Sequence, residues 1–178
     1  MPSLVENQPR GFLRWGLRAP IWLYRAGLGW ILGERFLMLS HIGRKSGLPR
    51  QTVIEVVRHD KTSGAYFVAS GWGAKSDWFQ NIQKNPEVKI KVGTRQMNVI
   101  AQLLSLEDAS RELFIYARDH PAAFHELSQV LAGQALKGTE EECRQLARSI
   151  PVVAFRPKAK TDPGSQTESG KESRRTHP

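Results

Sequence analysis

Phe36-Leu37-Met38-Leu39 and Val53-Ile54-Glu55-Val56-Val57 are short apolar runs, and between them lies Gly43-Arg44-Lys45-Ser46-Gly47-Leu48-Pro49-Arg50. Runs this short, bounded by turn residues, predict β-strands, and the stretch between them is then the connection of a hairpin. The pattern continues downstream, with strands expected over 53–58, 66–70, 88–93 and 96–104. Asp60-Lys61-Thr62-Ser63-Gly64 supplies turn chemistry between the first two of these.

Helices are expected between and after the strands. Ser76 or Asp77 can cap a short helix that carries Trp78 and ends at Asn85-Pro86. Ser105-Leu106-Glu107-Asp108 reads as a capping signature for a helix through about Asp119. Pro121 opens another to about Leu131, and Thr139, with Glu142 three residues on, opens a third to Ser149. Ile150 to Phe155 returns as a last strand.

Both ends differ in character from the middle. Gly11 to Gly33 alternates cations with large apolar groups, and at 100° per residue Arg14, Arg18 and Arg25 fall at about 0°, 40° and 20° on one helical face. No apolar run there approaches the roughly 20 residues of a transmembrane helix, and the arginines interrupt any signal-peptide pattern. Two readings stay open for residues 11–33: a helix packed on the main domain, or an interfacial helix in peripheral contact with a membrane. From Pro157 onward the chain lacks Leu, Ile, Val, Phe, Tyr and Trp, so a disordered tail is expected over 158–178.

Composition narrows the chemistry. At 178 residues the chain can bury a core of its own. A single cysteine, Cys143, rules out an intrachain disulfide framework, and the five histidines show no metal spacing, so no metal site is expected. The acidic neighbours of Cys143 should raise its pKa, which argues against a reactive thiol. Net charge is +9, and residues 1–50 alone hold eight cations against two carboxylates. No nucleic-acid-binding motif accompanies that charge, so a polyanionic cofactor or an anionic surface explains it better than nucleic acid.

The hairpin and one later loop carry the chemistry. Gly43 and Gly47 free the backbone for a tight turn. Arg44, Lys45 and Arg50 offer charge-assisted donors, with the Ser46 hydroxyl beside them. A phosphate or carboxylate suits this group, and a solvated basic hairpin tip is the alternative. After Tyr66-Phe67-Val68-Ala69 comes Ser70-Gly71-Trp72-Gly73-Ala74-Lys75-Ser76-Asp77-Trp78-Phe79-Gln80-Asn81, where glycines allow backbone amides to approach a ligand. Trp72, Trp78 and Phe79 provide flat apolar surface for a ring system, or else ordinary core.

Together these segments resemble the deazaflavin-dependent oxidoreductases of the nitroreductase type. That family carries Gly-Arg-Lys-Ser/Thr-Gly-x-x-Arg, here Gly43 to Arg50. It also carries Ala-Ser-x-x-Gly leading to Trp-Tyr/Phe-x-Asn and Asn-Pro, here Ala69, Ser70, Gly73, Trp78, Phe79, Asn81, Asn85 and Pro86. The resemblance spans about Arg35 to Pro157 and implies a mainly β fold: a split β-barrel of the flavin/deazaflavin-binding type with peripheral N- and C-terminal helices. The implied division is an N-terminal helical segment 1–34, a cofactor-binding barrel 35–157 and the tail 158–178.

The implied function is hydride transfer from reduced coenzyme F420 to an electron-poor small molecule: a quinone, a nitro compound or an activated double bond. Flavin mononucleotide is the alternative cofactor, and a cofactor carrier without turnover the alternative function. The resemblance assigns Arg44, Lys45, Ser46, Gly47 and Arg50 to the cofactor's phosphate and polyglutamate tail. It assigns Ala69, Ser70, Gly71, Gly73 and Lys75 to the path toward the ring, with Trp78 and Asn81 in support. A cytoplasmic protein is implied, on the inner membrane face if residues 11–33 bind lipid, and homodimers occur among such barrels. Nitro-activating members place tyrosines where this chain reads Asp119-His120-Pro121-Ala122-Ala123-Phe124-His125-Glu126, without one. For proton transfer the residues offer Glu55, which alternates with Ile54 and Val56, and the histidines His120, His125 and His41.

Overall fold

The computed structural model describes residues 33–158. The expectations for residues 11–32 and for the tail beyond Lys158 lie outside the described residues.

Six strands form a closed antiparallel barrel: β1 (Phe36–Ile42), β2 (Pro49–Asp60), β3 (Ala65–Ala69), β4 (Glu87–Val92), β5 (Arg95–Leu103) and β6 (Val152–Pro157). Their order around the barrel is β1-β2-β3-β6-β5-β4. Four described α-helices accompany them, α1 (Asp77–Lys84), α2 (Leu106–Asp119), α3 (Pro121–Ala132) and α4 (Glu140–Ser149), with a single 3-10 turn over Gly73–Lys75 just before α1. The apolar runs mark the strands, because a barrel strand buries alternate residues on its inner face.

Leu37 and Leu39 of β1, Ile54 and Val56 of β2, and Ile90 of β4 meet inside with Phe155 of β6. Pairing of Leu37 with Ile54 on one side and with Val92 on the other makes β1 the strand that closes the cylinder. From α1, Trp78, Phe79 and Ile82 join the same core. Both aromatics are buried, so they serve as core and not as an open platform for a ring.

A second core lies outside the barrel. Val56 faces the barrel core and Val57, by alternation, packs under the helices; a register shift between Val56 and Arg58 then pairs Arg58 with Phe67 on that same outer side. Leu113 and Tyr116 of α2, Phe124 of α3 and Leu146 of α4 complete this layer with Ile150 and Val152. Two capping signals hold as read: Ser105 accepts from the Asp108 amide, and Thr139 and Glu142 form a reciprocal capping box. Arg58 clamps α2 to β2 through two bonds to Glu112, with Nη2 2.7 Å from Oε1, and lies 4.6 Å over the Phe67 ring. Cys143 is buried at this packing face, and burial first, then Glu142, pushes its thiol up to about 11, where it is inert.

Strand ends differ from the sequence expectation mainly at β2. It begins at Pro49, not Val53, so Arg50 is a strand residue opposite His41 and the loop proper is only Gly43–Leu48. Polar Arg50, Gln51 and Thr52 hid this stretch, because ladder hydrogen bonds extend a strand regardless of side-chain polarity.

Candidate functional site

The turn between β1 and β2 is tight and pinned. The Gly43 amide donates to Leu48 O at 2.9 Å, and the Gly47 amide donates to Gly43 O at 2.8 Å. Gly47 has φ +67°, a conformation that side chains with a Cβ resist. At Gly43 a Cβ would meet Ser46 Oγ at 2.8 Å. Ser46 Oγ itself accepts from the Leu48 amide at 3.3 Å.

Asn81, on the buried side of α1, holds this turn against the barrel. Its Oδ1 accepts from the Arg44 amide at 2.8 Å and from Arg44 Nη1 at 3.2 Å, while Nδ2 meets His41 Nδ1 at 3.1 Å. His41 Nδ1 therefore accepts, and the ring proton sits on Nε2. Burial is the largest influence on this ring and pulls its pKa below 6.5, with Arg50 acting the same way and a backbone bond at Ile42 opposing. His41 is a neutral structural acceptor at neutral pH.

Arg44 is spent within the fold. Its guanidinium pairs with Asp77 at 2.9 Å, and Lys84 Nζ donates to its carbonyl at 3.2 Å. The two exposed cations of the turn segment are Lys45 and Arg50. Among the described residues no ion pair is formed by either.

The Ser70–Lys75 loop closes on itself beside α1. Ser70 is fully buried, with Oγ 2.8 Å from Gly73 O and 2.7 Å from Ser76 Oγ. Ser76 thus occupies the cap position of α1 without a side-chain cap bond, because its hydroxyl serves Ser70. Gly73 is buried, Gly71 half-buried, Lys75 exposed and Ala69 half-buried. The structure therefore joins the hairpin to the loop through α1, which carries both Asn81 and the Asp77 that holds Arg44.

The proton-transfer candidates lie elsewhere. Glu55 faces outward opposite Phe36 and pairs with Arg35 at 3.1 Å, so it does not enter the barrel interior. His120 is exposed, with its ring 5.5 Å from that of Tyr116. Burial, followed by the charge of Glu55, pushes the Tyr116 hydroxyl up to about 12. His125 is exposed on α3. Glu55 and His120 thus meet around Tyr116, a residue the sequence marked only as part of a helix. Its burial depends on α2 docking to β2, which no local pattern announces.

The family model for F420H(2)-dependent quinone reductases matches residues 17–131. The chain belongs to this family. It is an F420H2-dependent oxidoreductase, and coenzyme F420, not flavin mononucleotide, is its cofactor. The closed six-stranded antiparallel barrel is the mainly β, split-barrel architecture expected from the sequence.

Solved structures resemble it at low identity. An F420-H2 dependent reductase (FDR-A) is 20% identical, covering 69% of this chain and 95% of that one, with a TM-score of 0.48. A domain-swapped dimer is 18% identical over 82% of this chain and 99% of that one, with a TM-score of 0.49. Agrobacterium tumefaciens protein Atu2129 is 13% identical over 86% of this chain and 58% of that one, with a TM-score of 0.51. Among the described residues no helix is long and apolar enough to cross a membrane, and no group of side chains could hold a metal ion.

Proposed function

We propose that the hairpin and the Ser70–Lys75 loop form the cofactor site of this reductase, and that its acceptor is a quinone. Reduced F420 supplies the hydride when bound; the protein's part is to hold it in place and keep one face open to the acceptor. The observation that carries this reading is the division of labour among the hairpin cations. Arg44 is tied down by Asp77 and Asn81, and this fixes the turn. Lys45 and Arg50 are left as exposed donors on a rigid base, the arrangement an anionic group needs. The donor set fits the cofactor's phosphate: one guanidinium, one ammonium and the Ser46 hydroxyl around a glycine turn.

In this reading Lys45 and Arg50 bind the phosphate, the Ser46 hydroxyl hydrogen-bonds it, Gly47 shapes the turn beside it, and Gly71, Gly73 and Lys75 border the ring. Ser70, Trp78 and Asn81 act as supports, since each is buried and packed or bonded within the protein. Arg50→Ala should weaken F420 binding by about 1.5–3 kcal/mol, or about ten- to a hundred-fold. Arg50→Lys should also lose affinity, because an ammonium cannot replace the guanidinium fork. Thermal stability should hold, since an exposed cation contributes little. The checks are fluorescence titration with F420 and thermal unfolding of the same samples. Unchanged affinity in a Lys45→Ala, Arg50→Ala double variant would return the hairpin to a solvated surface.

A further inference from the structure

Met38 faces away from the barrel core and is buried nonetheless. Its neighbours Leu37 and Leu39 both lie in that core, so alternation puts Met38 on the outer wall, where it is only 7% exposed. Across the ladders it meets Val53 of β2 and Lys91 of β4, both half-buried. Phe36, also half-buried, stands two residues away on the same wall. None of the described core clusters holds Phe36, Met38 or Val53. Helix α1 meets β1 at His41 and the outer helical layer meets β2 at Val57, at opposite ends of this wall. An outward methionine this deep needs an apolar cover.

The chain itself supplies an occupant within reach. Residues 11–32 lead into Gly33, whose φ of +56° turns the chain toward β1. The Val56 amide donates to Arg35 O at 2.8 Å and Arg35 pairs with Glu55 at 3.1 Å, so the entry to β1 is fixed beside Phe36. A tether this short keeps the segment at an effective concentration on the order of mM. As a helix, residues 11–32 would span about 33 Å, against about 23 Å for the seven residues of β1. At 100° per residue Trp15, Ala19, Trp22, Ala26 and Trp30 fall between about 80° and 160°, beside the arginine face and apart from it. This stripe carries three of the chain's five tryptophans, and its alanines permit close approach.

We propose that residues 11–32 dock on this wall, laying the tryptophan stripe over Phe36, Met38 and Val53 and turning Arg14, Arg18 and Arg25 to solvent. Of the two readings open for residues 11–33, the wall favours packing on the barrel over a membrane interface. In the single chain Met38 is already buried, which neither a lipid surface nor a second copy of the chain can bring about. Lys91 fits the same arrangement, its stem along the apolar cover and its ammonium in water. The docked segment flanks the barrel between the hairpin and the Arg35–Glu55 pair, and its docking is independent of the cofactor-site reading.

Trypsin tests this on the full chain, because Arg18 and Arg25 are cleavage sites inside the segment. Cleavage after Arg25 should be about tenfold or more slower than in a free peptide of residues 11–32, since docking leaves the site open only a small fraction of the time. Met38→Glu puts a carboxylate under the stripe and should bring the rate back toward that of the peptide. Trp22→Glu should do the same from the segment's side without changing any barrel residue. Should Met38→Glu lower the unfolding midpoint, Trp22→Glu decides the matter. Cleavage of wild type at the peptide's rate overturns the proposal, and so does a wild-type rate in Trp22→Glu. Protection that appears only with phosphatidylglycerol vesicles assigns the stripe to a bilayer, and protection that rises with protein concentration assigns it to a second copy. Either result overturns docking on the chain's own wall.

Discussion

At the scale of single residues, Asn81 shows how one side chain can organise a site it need not touch. It joins residues 37 and 40 positions away in sequence, Arg44 and His41, through three contacts. The motif marked Asn81 and Arg44 as residues of interest, but only the folded chain shows that they are partners. His41 gives this network a pH signature. Its folded-state pKa is depressed, so the unfolded chain binds the proton first as pH falls. The stability it contributes is complete above 6.5, its ordinary value, and is lost as pH drops through the lower folded-state value. Unfolding midpoints of wild type and His41→Gln should therefore run parallel above about pH 7 and converge on acidification. Parallel curves down to about pH 5 would mean that His41 is not a buried neutral acceptor.

At the scale of elements, the hairpin is the piece whose shape matters most. Gly47 sits at φ +67° with nothing within 4 Å of where a Cβ would be, so only backbone strain opposes a side chain there. Gly47→Ala should cost about 1–2 kcal/mol of stability, measurable by urea unfolding. A neutral result would show that the turn relaxes to another form. Other element signals were legible locally: the capping box at Thr139 and Glu142 needs only residues three apart, and it is present. Ser76 was equally legible as a cap and yet makes no such bond, because Ser70, buried across the loop, takes its hydroxyl. A cap read from sequence is a local offer, and a buried polar neighbour such as Ser70 can engage the same hydroxyl instead.

For the whole molecule, two cores share one sheet wall, with Val56 and Val57 facing opposite sides of it. The helical layer is held by that wall and by the Arg58–Glu112 clamp, so it should unfold together with the barrel. Leu113→Ala, at a fully buried position, should lower stability by about 2–5 kcal/mol in a single cooperative transition. F420 affinity should be retained, since Leu113 lies in the outer core and the hairpin is anchored through α1. Two separated transitions would show the layers to be independent. The sequence by itself determined the strands, the turn residues, two helix caps and the motif residues, because each depends on neighbours a few positions apart. Only the tertiary structure decided that Trp78 and Phe79 fill the core, that Arg44 is a strut while Lys45 and Arg50 stay exposed, that Glu55 and His120 meet around Tyr116, and that Lys89 lies beside Ser40. Those outcomes depend on closing the barrel, which brings together groups distant along the chain and so fixes which charges are paired and which are left for a ligand.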